Sequence, residues 1–260
     1  MKITILTLFP EMFQNFVSTS ILKRAISKNI VTIQIVDIRS YTKDKYGRVD
    51  SAPIGGGAGL ILKCQPVVDC LKDQEPGKKI LFSPCGSTFS QSKAHALSKE
   101  DHLILLCGHY EGMDERISSY VDEEISVGDY ILTGGELPAM IVSDAIIRLL
   151  DGAISEDSIQ EESFENGLLE YPQYTEPYEY EGKKVPDILY SGNHEAISLW
   201  RTKESLRLTR DKRPDLWKNY ALSKKEKKLL LEIDQNEIGK WEKQALQKGE
   251  KFLKSKANNN

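Results

Sequence analysis

Ile104–Met140 reads ILLCGHYEGMDERISSYVDEEISVGDYILTGGELPAM. It opens on an apolar run, Leu103 to Cys107, of the length and texture of a buried strand. Three glycine-bearing turns follow: Gly108-His109-Tyr110-Glu111-Gly112, Val127-Gly128-Asp129-Tyr130 and Thr133-Gly134-Gly135-Glu136. Glycine in such turns lets backbone approach backbone, or a ligand, where a side chain would collide. Between Asp101 and Ile147 ten carboxylates stand against one basic residue, Arg116. A phosphate site needs the opposite sign, so the stretch points to a glycine-lined acidic pocket for a ligand of positive character.

Upstream, strand and helix signals alternate. Lys2 to Phe9 is apolar and β-branched, Pro10 opens a helix expected over 11–28, and 31–38 is a second strand. A helix over 65–71, a strand over 79–83, a helix near 90–97 and a strand over 102–107 continue the pattern, and 138–150 is an amphipathic helix carrying Arg148. Alternation of this kind predicts an α/β fold with a parallel sheet. The turn Ser83-Pro84-Cys85-Gly86 follows a strand's carboxyl end, where open α/β sheets place their ligand loops. Gly55-Gly56-Gly57-Ala58-Gly59 has no following Lys-Ser/Thr, so it is not a P-loop, and as a loop it serves a phosphate or simple pliability equally well.

The chain has 260 residues, 40% of them hydrophobic and 28% charged, which suits an ordinary soluble globular protein of one large or two modest domains. No apolar run reaches the ~18–20 residues of a membrane span. The amino terminus lacks a small-residue cleavage site and reads as a strand, not a signal peptide. Cys64, Cys70, Cys85 and Cys107 form no CxxC pair, and a reducing cytoplasm fits them.

The net charge of −4 conceals a division. Between Arg201 and Lys228 eleven basic residues stand against four acidic ones. An acidic centre followed by a basic arm predicts two jobs in two places. The expected organisation is a ligand-binding α/β domain over 1–154, a flexible acidic and serine-rich linker over 155–167, a helical domain over 168–250 and a frayed tail over 251–260. Helices are expected over 195–209, 214–220 and 223–248, the last opened by a capping box of Ser223 and Glu226.

No Ser-His-Asp arrangement stands out, and four scattered histidines without HxxH or HExxH spacing give no metal site. His109, between two glycine turns, is expected in a structural or ligand-lining role. Glu111, Asp114 and Glu115 form either an acid–base group or the acidic start of a helix, which the dipole favours. Trp200 with Arg201 either grips a nucleotide or packs in a helical core. From pattern alone two classes compete: an enzyme acting on RNA with a cationic small cofactor, and a non-catalytic RNA-binding protein whose α/β domain senses a ligand. A nucleotide-dependent dehydrogenase is weaker, because the glycine run is not GxGxxG between strand and helix.

Five motifs then carry a resemblance. Leu8-Phe9-Pro10-Glu11-Met12-Phe13, the glycine run 55–59, Cys107–Gly112 with Asp114-Glu115-Arg116, Gly128-Asp129-Tyr130 with Thr133–Met140, and Ser191-Gly192-Asn193-His194 with Trp200-Arg201 follow one another as in the bacterial tRNA (guanine-N1)-methyltransferases. The similarity runs from Met1 to about Lys240. It implies a trefoil-knotted, parallel-sheet methyltransferase domain of the SPOUT type, a helical tRNA-binding domain, a homodimer that shares its active site, and S-adenosyl-L-methionine as cofactor. The reaction implied is methylation of guanine 37 beside the anticodon, with a guanine preferred before the target. Carried over by position, the cofactor residues are Phe82, Ser83, Pro84, Gly108, Tyr110, Glu111, Gly112, Val127, Gly128, Asp129, Tyr130, Ile131, Leu132, Gly134, Gly135 and Pro138. Ser158, Asn193, His194 and Arg201 fall at tRNA-contacting positions, and Arg148 at the position that stabilises charge on the guanine.

The chain departs from the family at the expected base. The family's Glu-Asp-Ser-Phe stands here as Glu161-Glu162-Ser163-Phe164, so the linker base is Glu162. The carboxylate is kept and extended by one methylene, about 1.5 Å. Ser51, Ile54 and Cys85 are smaller departures that leave the motifs intact.

Overall fold

The computed structural model describes residues 1–155 and 159–258 and divides them into two compact units, Met1–Ile159 and Gln160–Asn260. The division falls inside the stretch expected to be the linker.

The first unit is built on β1 (Lys2–Thr7), β2 (Thr32–Asp37), β5 (Lys78–Thr88), β6 (His102–Leu106) and β7 (Glu123–Ser126). These form one parallel sheet in the order β2-β1-β6-β5-β7, and a small ladder of β3 (Asp50–Ser51) with β4 (Ile61–Leu62) lies apart. Every residue of β6 is buried, because a central parallel strand is covered on both faces; Leu103–Leu106 are apolar, and the His102 ring is paired with Thr4 Oγ1 at 2.9 Å and Pro76 O at 3.0 Å. Alternation along the strands separates two cores. Ile3, Ile5, Ile80, Leu103 and Leu105 pack with α2 (Ser20–Ser27), α4 (Gln91–Leu97) and α5 (Glu136–Ile147). Leu6, Leu81, Ile104 and Leu106 pack with α3 (Cys64–Lys72) and the 3-10 helix Glu115–Tyr120. The α/β expectation therefore holds, with helices on both faces of the sheet.

Local departures have local causes. The helix expected over 11–28 is a 3-10 turn, Pro10–Phe13, then α1 (Gln14–Ser18) and α2, broken at Thr19. Ser18 and Thr19 hydroxyls both donate to Asn15 O, competing with the helical ladder, and Ser20 takes φ 50°. β7 was not foreseen in Asp122–Ser126, whose acids have low strand propensity. It is an edge strand, and Glu123 pairs with Lys78 at 3.4 Å and with Lys93.

The second unit is helical: α6 (His194–Lys212), α7 (Pro214–Asn219), α8 (Lys224–Asp234) and α9 (Lys240–Asn258), with a hairpin of β8 (Glu179–Tyr180) and β9 (Lys183–Lys184). Ile188, Ala196, Trp200 and Ala245 form one core, and Leu168, Leu206 and Leu229 another. Trp200 is thus a core residue, 6% exposed. Lys203, equally buried, holds Glu242 at 2.7 Å and Glu232 at 3.3 Å and so ties α6 to α8 and α9. The single helix expected over 223–248 is interrupted after Gln235, where Asn236 adopts φ 50° and stops the helix as a left-handed cap. Its capping box is present as read, with Ser223 N donating to Glu226 at 2.7 Å. The chain expected to fray from Lys251 is helical through Asn258, and the Phe252 ring stacks on Tyr190 at 6.4 Å. Among the described residues no helix is long and apolar enough to cross a membrane.

Candidate functional site

The carboxyl ends of β5, β6 and β7 open onto a cavity of about 380 Å³. Three loops make it, each shaped by backbone proximity. In β5 the register to β7 jumps from Phe82 to Ser87, both opposite Ile125, so Ser83–Gly86 bulges out of the strand. Gly86 sits at the bulge's return, where a Cβ would lie 2.4 Å from Ile125 N.

After β6, Gly108–Asp114 is fastened to β4: Glu111 N donates to Leu60 O at 3.1 Å, Leu62 N to Gly112 O at 3.0 Å and Asp114 N to Leu62 O at 3.0 Å. Tyr110 and Gly112 adopt φ 64° and 142°. The phenol of Tyr110 is raised by burial and by Asp50, against a lowering by Arg39. Asp114 caps the 3-10 helix; hydrogen bonds from Arg116, its side chain first and then its backbone N–H, hold its carboxyl below the ordinary range despite partial burial.

After β7, the chain returns past the end of β6. Gly135 N donates to Gly108 O at 2.8 Å, and His109 forms a bridge with Gly134. A Cβ on Gly135 would stand 2.7 Å from Cys107 Cα. Beneath this crossing Glu136 opens α5, 2% exposed, with Oε1 accepting from Thr7 Oγ1 at 2.8 Å. Nδ1 of His109 is buried 3.9 Å from Glu136 Oε2, and the ring lies 4.6 Å from Phe9.

Every expected cofactor residue except Asp129 lines this cavity. Phe82, Ser83 and Pro84 come from the bulge, and Gly108, Tyr110, Glu111 and Gly112 from the loop after β6. Val127, Gly128, Tyr130, Ile131, Leu132, Gly134 and Gly135 come from the loop after β7, and Pro138 from the first turn of α5. Asp129 lies in that last loop without lining the cavity. His109 and Cys85 line it as well; the glycine turns flanking His109 already marked it. Glu136 was missed as a site residue, though a glutamate directly after two glycines at a helix start was the available signal. The lining carries the carboxylates of Glu111, Asp114, Glu115 and Glu124 and, among the described residues, no Lys or Arg.

The other expected residues lie elsewhere. Arg148 is the C-cap of α5, twelve residues long and about 18 Å from end to end, and does not line the cavity. Past it the chain turns at Gly152 beside Ile30, just ahead of β2. In the second unit Asn193 is the N-cap of α6, its side chain accepting from Ala196 N at 3.2 Å, and His194 is exposed at the first helical position. Glu162 precedes a tight turn in which Glu165 N reaches its carbonyl at 3.4 Å. Arg201 reaches Glu161 Oε2 at 3.2 Å and lies 4.6 Å from the Tyr171 ring, with its side chain still 40% exposed. Ser158 lies outside the described residues.

A doubly wound parallel sheet with a glycine-turn cavity at the strands' carboxyl ends, followed by a helical unit that carries the basic stretch Arg201–Lys228, defines a two-part ligand-binding α/β protein. The chain belongs to the tRNA (Guanine-1)-methyltransferase TrmD family, which matches residues 1–219. A tRNA (guanine-N(1)-)-methyltransferase of Clostridium botulinum (strain Eklund 17B / Type B) is 54% identical over 234 residues, covering 88% of this chain and 98% of that protein. Proteins of the same name from Lacticaseibacillus paracasei and Dictyoglomus turgidum are 51% and 50% identical, covering 92% and 90% of this chain and 96% of each relative.

Proposed function

We propose that this chain transfers a methyl group from S-adenosyl-L-methionine to N1 of guanine 37 of tRNA, working as a homodimer. Family membership over residues 1–219 carries the reading. The cavity agrees with it independently: carboxylates without Lys or Arg suit a ligand bearing a sulfonium and an ammonium, and its volume is that of a small-molecule site. The non-catalytic RNA-binding alternative has no comparable support.

The loops after β6 and β7 would hold the cofactor, and the Glu111 carboxylate in the lining would complement its positive charge. Bound S-adenosylmethionine supplies an electrophilic methyl on a sulfur that leaves as a neutral thioether. The protein's tasks are to take the N1 proton and to meet the negative charge that develops toward O6. The Glu162 carboxylate would take the N1 proton, and the Arg148 guanidinium would donate to O6. The basic stretch Arg201–Lys228 of the second unit holds the tRNA backbone.

Arg148 stands at the far end of α5 from its own cavity, so the reading requires that a second copy bring it there. The surface of α5 supports this: Leu137 and Ile141, one helical turn apart, are 45% and 46% exposed on a helix that is apolar on its buried side too. The trefoil threading belongs to the same reading and is supported by the tight passage of Gly134 and Gly135 across the end of β6.

Methyl transfer by Glu162→Gln and Glu162→Asp tests the base. Glu162→Gln is expected to lose at least about a hundredfold in rate, as loss of a general base does, and Glu162→Asp to retain measurable transfer. Full rate in Glu162→Gln removes Glu162 from the role.

A further inference from the structure

We propose that Arg201 is a positioning residue for the methyl transfer, clamping the loop that carries Glu162 onto α6. The inference rests on the assignment of Glu162 above and concerns what fixes it in place.

Three side chains close the clamp. Arg201, in the second turn of α6, directs Nη1 to Glu161 Oε2 at 3.2 Å. Its guanidinium lies over the Tyr171 ring at 4.6 Å, and the Tyr171 hydroxyl donates to the same Glu161 oxygen. One carboxylate oxygen thus receives two donors, while the aromatic ring covers one face of the cation. Burial, and then the bond to Glu161, push the Tyr171 phenol up to about 12, so the hydroxyl remains a donor throughout the working range.

Backbone bonds continue the fastening. Phe164 N donates to Leu168 O at 2.8 Å, Glu170 N to Ser163 Oγ at 2.9 Å, and Leu169 N to Thr209 Oγ1 at 2.8 Å. Thr209 is fully buried about two turns along α6 from Arg201. The stretch from Glu161 to Glu170 is therefore tied to one helix at two points, by Arg201 at its start and Thr209 at its end. Glu162 lies directly beside the first.

An exposed ion pair alone contributes little to stability. Its use here is geometric. The Glu162 carboxylate stands at the end of a flexible side chain, so where it sits depends on how its backbone is held. A misplacement near 1 Å can cost on the order of a hundredfold in rate. The planar, stacked guanidinium is the part a lysine cannot replace.

The experiment separates a clamp from a tRNA contact. In Arg201→Ala, kcat is expected to fall ten- to a hundredfold while the tRNA dissociation constant, its salt dependence and cofactor affinity stay within about twofold of wild type. Arg201→Lys is expected to resemble Arg201→Ala, because charge remains and the stack is lost. Glu161→Gln and Tyr171→Phe should lower kcat in the same sense, and combining Glu161→Gln with Arg201→Ala should add little. An unchanged far-UV circular dichroism spectrum and unfolding midpoint establish that α6 persists; if Arg201→Ala loses them, Tyr171→Phe, which keeps every charge, decides. Full kcat in Arg201→Ala overturns the proposal, as do weaker tRNA binding with a reduced salt slope and rescue by Arg201→Lys. Glu162→Gln, measured alongside, reports separately. Full rate there with reduced kcat in Arg201→Ala overturns the base assignment and leaves the clamp standing.

Discussion

Nδ1 of His109 faces Oε2 of Glu136 at 3.9 Å, across the point where the loop after β7 passes the loop after β6. Glu136 also takes the Thr7 hydroxyl at 2.8 Å, and Thr7 in turn accepts from Phe9 N at 2.9 Å. One buried carboxylate thus joins the end of β1, both glycine loops and the start of α5. Glu136→Ala leaves the Thr7 hydroxyl without its acceptor, removes the carboxylate that faces the imidazole, and is expected to destabilise the first unit by about 1–3 kcal/mol. Cofactor affinity measured by calorimetry should fall with it. An unchanged unfolding midpoint contradicts the role given to Glu136.

Gly135 has an ordinary φ of −81°, so no backbone strain demands glycine there. Space demands it: a Cβ would stand 2.7 Å from Cys107 Cα and 2.9 Å from Gly108 N. Backbone on both sides cannot swing away as a side-chain end can. Gly135→Ala is expected to cost about 1–3 kcal/mol of stability, as overpacking does, and to weaken cofactor binding by separating the two loops. Isothermal titration with S-adenosylhomocysteine checks it, and wild-type affinity in a folded variant contradicts the packing argument.

Leu137→Asp with Ile141→Asp places charge on the exposed stripe of α5. If that stripe is the contact between two copies, sedimentation should show a monomer, with methyl transfer lost while cofactor binding largely remains. A dimer that persists in the double variant rules out this face.

At the sheet edge, burial raises the Glu123 carboxyl, but Lys93 and Lys78 outweigh it and hold it below its ordinary value of 4.5. A carboxyl lowered in the folded state contributes stability above its unfolded value, and that contribution is lost as pH falls through the folded value. Lys93→Met should therefore lower the unfolding midpoint near neutral pH, with the deficit shrinking as pH drops below about 4.5. A deficit constant from pH about 7 to about 3 contradicts the ion pair's part in it.

The parallel sheet and its cavity were largely legible. An apolar run such as Leu103–Cys107 has few alternatives to a covered central strand, and glycines such as Gly134 and Gly135 stand where backbones meet. The strand β7 was not, because an edge strand is stabilised by cross-strand charge, and Glu123 finds Lys78 and Lys93 only after folding. The break after Thr19 turns on hydroxyls reaching back to Asn15 O, a competition that helical periodicity does not register. Arg201 shows the limit most sharply. Its place beside Trp200 in a basic arm pointed to nucleic acid, while its partners, Glu161 and Tyr171, lie forty and thirty residues earlier.

Methylation of guanine N1 at position 37 is the activity on which the roles of Glu162 and Arg148 depend. The direct measurement is incubation with labelled S-adenosylmethionine and two tRNA transcripts that differ only in guanine or adenine at that position. Label is expected in the guanine transcript, recovered as 1-methylguanine, and none above background in the other. No label in the guanine transcript, or equal label in both, contradicts it.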